Sequence, residues 1–411
     1  MRPANSLAVT ALLTAMVALG PISTDLYLPS LPGLARYFQV SVADAQLTLS
    51  SFLIGLATAQ LIYGPLSDRF GRRPVLLVGL AIYVIASIVC AFAPSVPILV
   101  FMRFLQAVGA CVGPVLGRAV VRDVHGRDGA ARVLAYMSAA MALAPAIGPI
   151  IGGFLEEWYS WRANFLALVC YGIVGLVLTW QILPETNKVL DLEAARLERI
   201  LRGYHGFLGH RTYVGYVLCC AFAYSGIFAF ISGSSFVLQE VVGLGPVEYG
   251  FCFAGVVIGY IIGTVLAGRL SRRLGIDRLI VVGAGFAVAG GALLLGLALA
   301  GVARTGLGGA LVIVGPMLIY MIGTGLVLPN SIAGAIGPFP RAAGAASAFL
   351  GFTQMTVAAV VGIVVAHLHN GTSVPMAAAV AVVALGEVAA VVLLVRPRSA
   401  PSAGGLRQPG E

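Results

Sequence analysis

Twelve long apolar runs limit what this chain can fold into more than any other feature. Each run has about 20 residues, the length that an α-helix needs to cross the hydrocarbon core of a bilayer. None shows the alternating pattern of a membrane strand. The first run is too long for a signal peptide, so we interpret it as a retained helix. We predict an all-α membrane protein with twelve transmembrane helices near residues 7–28, 45–66, 74–93, 97–117, 133–154, 162–183, 212–237, 247–268, 278–300, 308–329, 343–366 and 374–395.

The composition and the charges agree with this prediction. Of 411 residues, 59% are hydrophobic and 10% are charged, whereas soluble domains average about 25% charged residues. With the N-terminus placed inside, all 25 Lys and Arg lie at inner ends of spans except Arg36, Arg103, Arg162 and Arg304. Basic residues are enriched on the cytoplasmic side. We therefore expect a bacterial inner-membrane protein with both termini in the cytoplasm, and the net charge of +9 gives no indication of nucleic-acid binding.

A repeat divides the chain into two halves. The segment "GPLSDRFGRR" at 64–73 and the segment "GRLSRRLGID" at 268–277 agree at five of ten positions, and each follows the second span of a set of six. We predict two pseudo-symmetric six-helix bundles, at 1–183 and 212–396. Two related bundles are the architecture of secondary transporters.

The polar stretch 184–211 lies between the halves as a cytoplasmic linker. Its leucines and isoleucine at 190, 197, 200 and 201 recur at helical spacing. They predict an amphipathic helix on the membrane surface, and a plain charged linker is the alternative. The tail 397–411 is small, polar and rich in proline, which favours disorder.

The loop after the second span combines glycine, aspartate and arginine. Gly64 permits close approach of helices. Asp68 can accept hydrogen bonds from arginine or from a helix N-terminus. The other residues of interest in this loop are Arg69, Gly71, Arg72 and Arg73. In the second copy, Arg272 stands where Asp68 does, so we expect the two loops to act differently.

Two spans carry further unusual residues. Arg103 is a charge inside the fourth span, followed by Gln106 and Gly109. An ionisable residue in a membrane indicates function by default, although Arg103 is near enough to the outer end to snorkel. The fifth span carries prolines that bend helices and glycines that permit close packing: Pro145, Gly148, Pro149, Gly152 and Gly153.

Asp25 is an isolated carboxylate late in the first span, in "STDLYLPSLP". Its predicted depth agrees with that of Arg103. A nearby guanidinium favours the charged carboxylate, and desolvation favours the neutral acid. A helix motion that changes their separation would couple conformation to protonation. The alternative is an aspartate in water at the outer edge.

These motifs resemble the major facilitator superfamily. "GPLSDRFGRRP" is similar to its loop 2–3 motif, which implies a cytoplasmic latch formed by Gly64, Asp68, Arg69, Gly71, Arg72 and Arg73. "RFLQAVGA" resembles the helix 4 motif of proton-coupled members. "APAIGPIIGGFL" resembles the helix 5 motif of antiporters, with Ala144 in place of the family's earlier glycine.

The resemblance extends to one subfamily. "STDLYLPSLP", "WRANF", "LPET" and "ISGSSFV" resemble the Bcr/CflA drug:proton antiporters over residues 10–370. It implies that Asp25 takes part in proton coupling and that Arg103 modulates it.

Polar, methionine and aromatic residues within the spans are candidates for a substrate cavity. Methionine and aromatic side chains suit varied apolar ligands, although ordinary helix packing explains each of them singly. The candidates are Gln106, Met137, Met141, Tyr224, Phe228, Tyr260, Tyr320 and Gln354. For Glu387 in the last span we favour a pairing or interface role over a substrate contact.

The sequence as a whole predicts a proton-driven exporter of amphiphilic drugs that works by alternating access. We expect a monomer whose partners are a small amphiphilic substrate, protons and the lipid bilayer, with no metal, no cofactor and no catalytic site. An exporter of an endogenous metabolite such as a sugar or dipeptide is the first alternative. A channel or a non-transporting membrane protein is the second.

Overall fold

The computed structural model describes residues 7–187, 189–194, 204, 206–302, 305–340 and 342–395, and within these ranges the chain is helical. Eleven helices are long and apolar enough to cross a membrane, and the bent pair at the N-terminus brings the number of candidate spans to twelve. The helices are α1 Leu7–Val17, α2 Leu19–Asp25, α3 Leu31–Phe38, α4 Val42–Phe70, α5 Arg72–Ala91, α6 Val96–Ala110, α7 Val112–Trp158, α8 Trp161–Ile182, α9 Arg211–Phe236, α10 Pro246–Leu274, α11 Ile276–Leu299, α12 Gly306–Ile336, α13 Ala343–His367 and α14 Val374–Leu394.

Prolines break the first span into pieces. α1 meets the helical segment Leu19–Phe38 at an angle of 41°, because the nitrogen of Pro21 carries no hydrogen to bond the Val17 carbonyl. α2 ends at Asp25, four residues before Pro29, and a single 3₁₀ turn follows at Leu28–Ser30. Asp25 therefore lies at the end of a short helix rather than inside a continuous one.

The fourth and fifth spans are continuous in backbone. The residues between them are helical, so α7 extends over 47 residues from Val112 to Trp158. The chain still reverses direction within α7, since a Cβ on Gly117 would lie 3.0 Å from Met137 Cε. No proline lies between Pro114 and Pro145 to end it. The fourth span itself, Val96–Val124, consists of α6 and the first part of α7.

The two halves repeat the same local geometry at the predicted motif. α4 ends at Gly71 (φ 96°) and α10 ends at Gly275 (φ 80°), both in the left-handed region that favours glycine. The amide of each glycine donates to a serine carbonyl four residues earlier, Ser67 at 3.1 Å and Ser271 at 3.0 Å. We call the end of the molecule that contains residues 69–73 and 269–273 the basic end, and the other the opposite end.

The halves meet along two helix pairs, α4 with α13 and α7 with α10. α7 and α10 approach at the opposite end. A Cβ on Gly153 would lie 2.5 Å from the Pro246 carbonyl oxygen, and one on Gly250 would lie 2.5 Å from the Pro149 carbonyl oxygen. Backbones this close leave no room for a side chain between α7 and α10 at Gly153 and Gly250.

The linker is described only in part. Its first residues return to the basic end, where the Asp191 amide donates to the Asp68 carbonyl at 3.1 Å. The predicted amphipathic helix falls mainly on residues 195–203, and the tail on 397–411, both outside the described residues. The proposed domain boundaries stay a prediction.

Candidate functional site: a buried carboxyl group between two helix bundles

Asp25 lies at the end of α2 with 4% of its surface exposed. Among the described residues, none donates a hydrogen bond to its carboxylate and none forms an ion pair with it. Two tyrosines of the other half, Tyr224 on α9 and Tyr249 on α10, lie close enough for its charge to act on their hydroxyl groups. Asp25 therefore belongs to the N-terminal half but faces the C-terminal half.

Arg103 on α6 is completely buried. Its Nη1 donates to the Ser23 carbonyl at 3.0 Å and to Gln106 Oε1 at 2.6 Å, and Nε donates to the Thr48 carbonyl at 3.4 Å. Nη2 has no partner among the described residues. The side chain does not snorkel, and it binds the backbone two residues before Asp25 instead of the carboxylate itself.

Aromatic rings surround the Arg103 guanidinium. Its carbon lies 4.2 Å from the centre of the Phe52 ring, 5.1 Å from Tyr27 and 5.7 Å from Phe165. The negative faces of aromatic rings attract cations. The rings and carbonyl oxygens together stabilise a buried charge that has no anionic partner within ion-pair distance.

The glycines of the fifth span pack against the segment that carries Asp25. A Cβ on Gly148 would lie 3.2 Å from the Asp25 Cβ, and one on Gly152 would overlap the Leu26 carbonyl oxygen. Gly153 instead faces α10, as described above. The motif "GPIIGG" thus contacts both the Asp25 segment and the other half.

Pro145 and Pro149 lie inside α7, in the same stretch as these glycines. Proline removes a helical hydrogen bond and bends the helix. The Pro149 carbonyl faces Gly250 of the other half. Glycines and prolines together allow two close backbone approaches on one helix.

Half of the predicted cavity residues do not line a space between the halves. Gln106 is fully buried, and its Nε2 donates to Ser87 Oγ at 2.7 Å inside the N-terminal bundle. Phe228 and Tyr320 are also fully buried, and Met137 is 2% exposed. Helix packing encloses these four in this conformation, and their assignment to a cavity stays a prediction.

The other four are less enclosed. Met141, Tyr224 and Tyr260 are half-buried, and Gln354 is 9% exposed. Tyr224 lies within electrostatic reach of Tyr260 as well as Asp25. A separate apolar pocket of about 280 Å³ lies between α1 and α8 and contains none of these residues. We define the central group as Asp25, Tyr224, Tyr249 and Tyr260.

Side chains of α9 and of the π-helical turn that follows it, Val237–Val241, join the halves at the opposite end. Ser235 Oγ donates to the Leu28 carbonyl at 2.7 Å, and Gln239 Nε2, one turn further, donates to the Pro29 carbonyl at 3.0 Å. Ser232 Oγ donates to Gln46 Oε1 on α4 at 2.8 Å. These three bonds, which we call the outer clasp, were not predicted. Their spacing places residues 232, 235 and 239 on one face of a helix, and this spacing was the signal in the sequence that could have indicated a shared contact.

The loop between α4 and α5 is held within the N-terminal half. Arg72 Nη1 forms an ion pair with Asp68 at 2.7 Å, and Arg72 Nε forms one with Asp123 at 3.2 Å. Glu185 accepts from the backbone amides of Arg72 and Arg73, each at 3.0 Å. The charge network thus connects the ends of four spans.

Three residues of the loop behave differently from one another. A Cβ on Gly64 would meet nothing within 4 Å, so the close helix approach predicted there is absent from this conformation. Gly71 adopts the left-handed backbone described above. Arg69 contacts the Phe70 ring at 5.1 Å instead of an acid. Glu185 was missed because it is distant in sequence, although it lies in the noted segment "LPET".

The second copy of the loop lacks an ion pair among the described residues. Asp277, at the start of α11, accepts a hydrogen bond from the Tyr216 hydroxyl at 2.5 Å. The two copies share their backbone and differ in their charges. This difference follows from arginine at 272, where the first copy has Asp68.

Two related helix bundles packed around a shared interface define a multi-pass membrane transporter. Residues 12–363 match the Major Facilitator Superfamily, and the chain belongs to this family of transporters rather than to an enzyme family. The structure of the xylose transporter XylE from E. coli, in a partially occluded inward open conformation, superposes with a TM-score of 0.69 at 17% identity. It covers 94% of this chain and 96% of that one.

Three relatives within this family are named for resistance to drugs. The bicyclomycin resistance protein homolog of Haemophilus influenzae is 28% identical over 359 residues, which cover 87% of this chain and 88% of that protein. The multidrug resistance protein D of Escherichia coli is 29% identical over 358 residues, with coverage of 86% and 87%. The chloramphenicol resistance protein of Pseudomonas aeruginosa is 30% identical over 349 residues, with coverage of 84% and 80%. The resemblance to the Bcr/CflA subfamily is confirmed by these relatives.

Proposed function

We propose that this protein exports amphiphilic drugs from the bacterial cytoplasm in exchange for protons, by alternating access across the inner membrane. Both termini lie in the cytoplasm, and the protein works as a monomer driven by the proton gradient without a cofactor. The basic end is the cytoplasmic end, as the distribution of basic residues supports.

One observation carries this proposal, the unpaired carboxyl group of Asp25 between the two halves. An ionised carboxylate without partners is costly in an apolar interior, and such a group takes up a proton instead. Exposure to water stabilises the charged form again by hydration. The protonation of Asp25 therefore depends on whether the interface around it is open or closed.

The elements around Asp25 link its protonation to the relative motion of the two halves. α2 is fixed on one side by Arg103 through Ser23 and on the other by the close approach of Gly152 to Leu26. Any rotation of α7 or α6 relative to the C-terminal half moves Asp25 relative to Tyr224. Substrate binding between the halves and proton release from Asp25 then compete for the same conformations.

Two observations support a drug as the substrate. The relatives are named for resistance to drugs, and Tyr224, Tyr260 and Met141 are half-buried near the interface. Aromatic and methionine side chains adapt to apolar ligands of varied shape.

The test uses inverted membrane vesicles with an acidic interior, a fluorescent pH probe and one candidate drug at a time, from the amphenicols to lipophilic cations. Wild type is compared with Asp25→Asn and with Asp44→Asn. Asp44 is the matched control, because it is an exposed aspartate in the first turn of α4 at the opposite end. Its side chain accepts from the Ser41 amide at 3.3 Å, and the amide oxygen of asparagine can accept the same bond.

We expect a drug to dissipate the gradient with wild type and Asp44→Asn, and not with Asp25→Asn. Continued coupling in Asp25→Asn would remove Asp25 from the mechanism. If no drug moves protons with wild type, drug export is refuted, and sugars and dipeptides are then tested for the metabolite exporter. Proton current without counter-transport would instead indicate a channel.

A further inference from the structure

A second acidic residue lies buried in the C-terminal half. Glu387 is the one charged residue of α14 and is fully buried. Neither of its carboxyl oxygens has a hydrogen-bond partner among the described residues. No described residue forms an ion pair with it, and the pairing or interface role expected for it stays a prediction.

Few polar groups face Glu387 from the helices packed around it. Cys219 and Cys220 on α9 and Tyr320 on α12 lie within electrostatic reach. The Tyr320 hydroxyl donates elsewhere, to the Ala223 carbonyl at 3.3 Å. α11 carries titratable groups only at its basic end, Asp277 and Arg278, and α13 carries only His367, at the opposite end.

This environment favours the protonated form of the Glu387 carboxyl group. A buried carboxylate with no donor and no cation cannot recover the hydration energy that it loses. A buried ionisable group inside a membrane is also a marker of function. Glu387 therefore holds a bound proton in this conformation.

A short series of polar groups connects Glu387 with the central group. Cys220 lies within electrostatic reach of Glu387, and its Sγ donates to Gln354 Oε1 at 3.2 Å. Tyr224 lies one helical turn after Cys220 on the same face, and it interacts electrostatically with both Cys220 and Asp25. The series crosses from α14 to the interface between the halves.

We propose that Glu387 is a second proton-binding site, located in the C-terminal half, which exchanges its proton with the interface along Cys220, Gln354 and Tyr224. This inference rests on the proposed function and extends it. Each cycle then carries one proton on Asp25 and one on Glu387. The carboxylate gains the proton when its surroundings open to the acidic side, and the acid loses it to the cytoplasmic side after the interface changes.

The first test measures the number of protons moved per drug molecule in proteoliposomes, for wild type and Glu387→Gln. Glutamine mimics the protonated acid in shape, so we expect drug exchange to continue with one proton fewer per drug. An unchanged ratio would overturn the proposal and leave Glu387 as a structural acid. If wild type shows no drug-driven proton movement, the proposed function fails, and the second test still decides about Glu387.

The second test needs no drug. Infrared spectra of purified Asp25→Asn in lipid nanodiscs report the carbonyl band of protonated carboxyl groups as pH rises. We expect a band that disappears reversibly while the protein stays folded. Glu387→Asp should shift this band, which assigns it to position 387. A band that stays constant up to the pH of unfolding would show that this proton never exchanges, and would overturn the proposal.

Discussion

Removing two donor side chains, Ser235 of α9 and Gln239 of the turn after it, should open the opposite end of the molecule. Ser235 and Gln239 donate to the carbonyls of Leu28 and Pro29, in the 3₁₀ turn that follows Asp25. The change is the double variant Ser235→Ala/Gln239→Leu. It removes both donors and preserves helix-forming side chains of similar or smaller size.

The magnitude follows from the bonds that are lost. A hydrogen bond within a protein contributes about 1 kcal/mol net. The Leu28 carbonyl keeps a second bond from the Leu31 amide, so it is not left without a donor, and the larger cost of an orphaned group does not apply to it. Two bonds give about 2 kcal/mol, which shifts the equilibrium between closed and open forms by a factor of about 30.

The assay is the distance between spin labels at positions 159 and 307, which are exposed and belong to different halves. In the double variant the population with the longer distance should rise. Ser234→Ala is the matched control. Ser234 is adjacent in sequence, but its hydroxyl bonds Tyr249 within the same half at 3.1 Å, so it should leave the distance distribution unchanged.

Two results would refute this reasoning. If Ser234→Ala shifts the distances as much as the double variant does, loosening of α9 in general explains the opening. If neither variant shifts them, the outer clasp contributes nothing measurable, and the packing of Gly153 and Gly250 alone closes this end.

Three further changes test separate parts of the structure. Gly152→Ala should lower the thermal stability by about 1–3 kcal/mol and weaken proton coupling, because its Cβ would overlap the Leu26 carbonyl. The control is Gly296→Ala, whose Cβ has open space around it and which should be neutral or slightly stabilising in the same melting assay. Arg103→Lys should reduce drug transport at least tenfold while the protein stays folded, since a single ammonium cannot reproduce the forked contacts of guanidinium; transport near the wild-type rate would mean that charge alone suffices. Glu185→Gln should lower stability by about 0.5–2 kcal/mol in thermal unfolding, since it weakens the acceptor for two amides at the start of α5, and no change would show that the loop is held by its ion pairs.

The membrane class and the main helices could be predicted because long apolar runs leave a chain no other compact fold. The position of Asp25 at a helix end was not predicted, although Pro21 and Pro29, which interrupt the backbone hydrogen bonds on either side of it, were the available signal. The continuous α7 was not predicted. No proline lies between Pro114 and Pro145 to end the helix, and the polar residues of this stretch stay helical although the chain reverses direction there.

The partners of the buried residues could not be predicted from depth alone. Similar depths placed Arg103 near Asp25, yet the guanidinium binds carbonyls that the broken first span exposes. Gln106 and Tyr320 were assigned to a cavity because helices that are apolar on every side give little indication of which face points inward. Glu185 required knowledge of a contact between segments more than a hundred residues apart.

The unpaired state of the two buried acids is itself informative. An acid with a fixed cationic partner keeps its charge in every conformation, and motion then changes its protonation little. Among the residues that the structure describes, Asp25 and Glu387 lack such partners, while the buried cation Arg103 is satisfied by carbonyls and aromatic rings. The chain thus separates its buried charges instead of pairing them. Each acid remains free to respond to hydration, and hydration is what a motion of one half against the other changes. A transporter that must bind a proton in one conformation and release it in another needs this sensitivity more than it needs the stability of an ion pair.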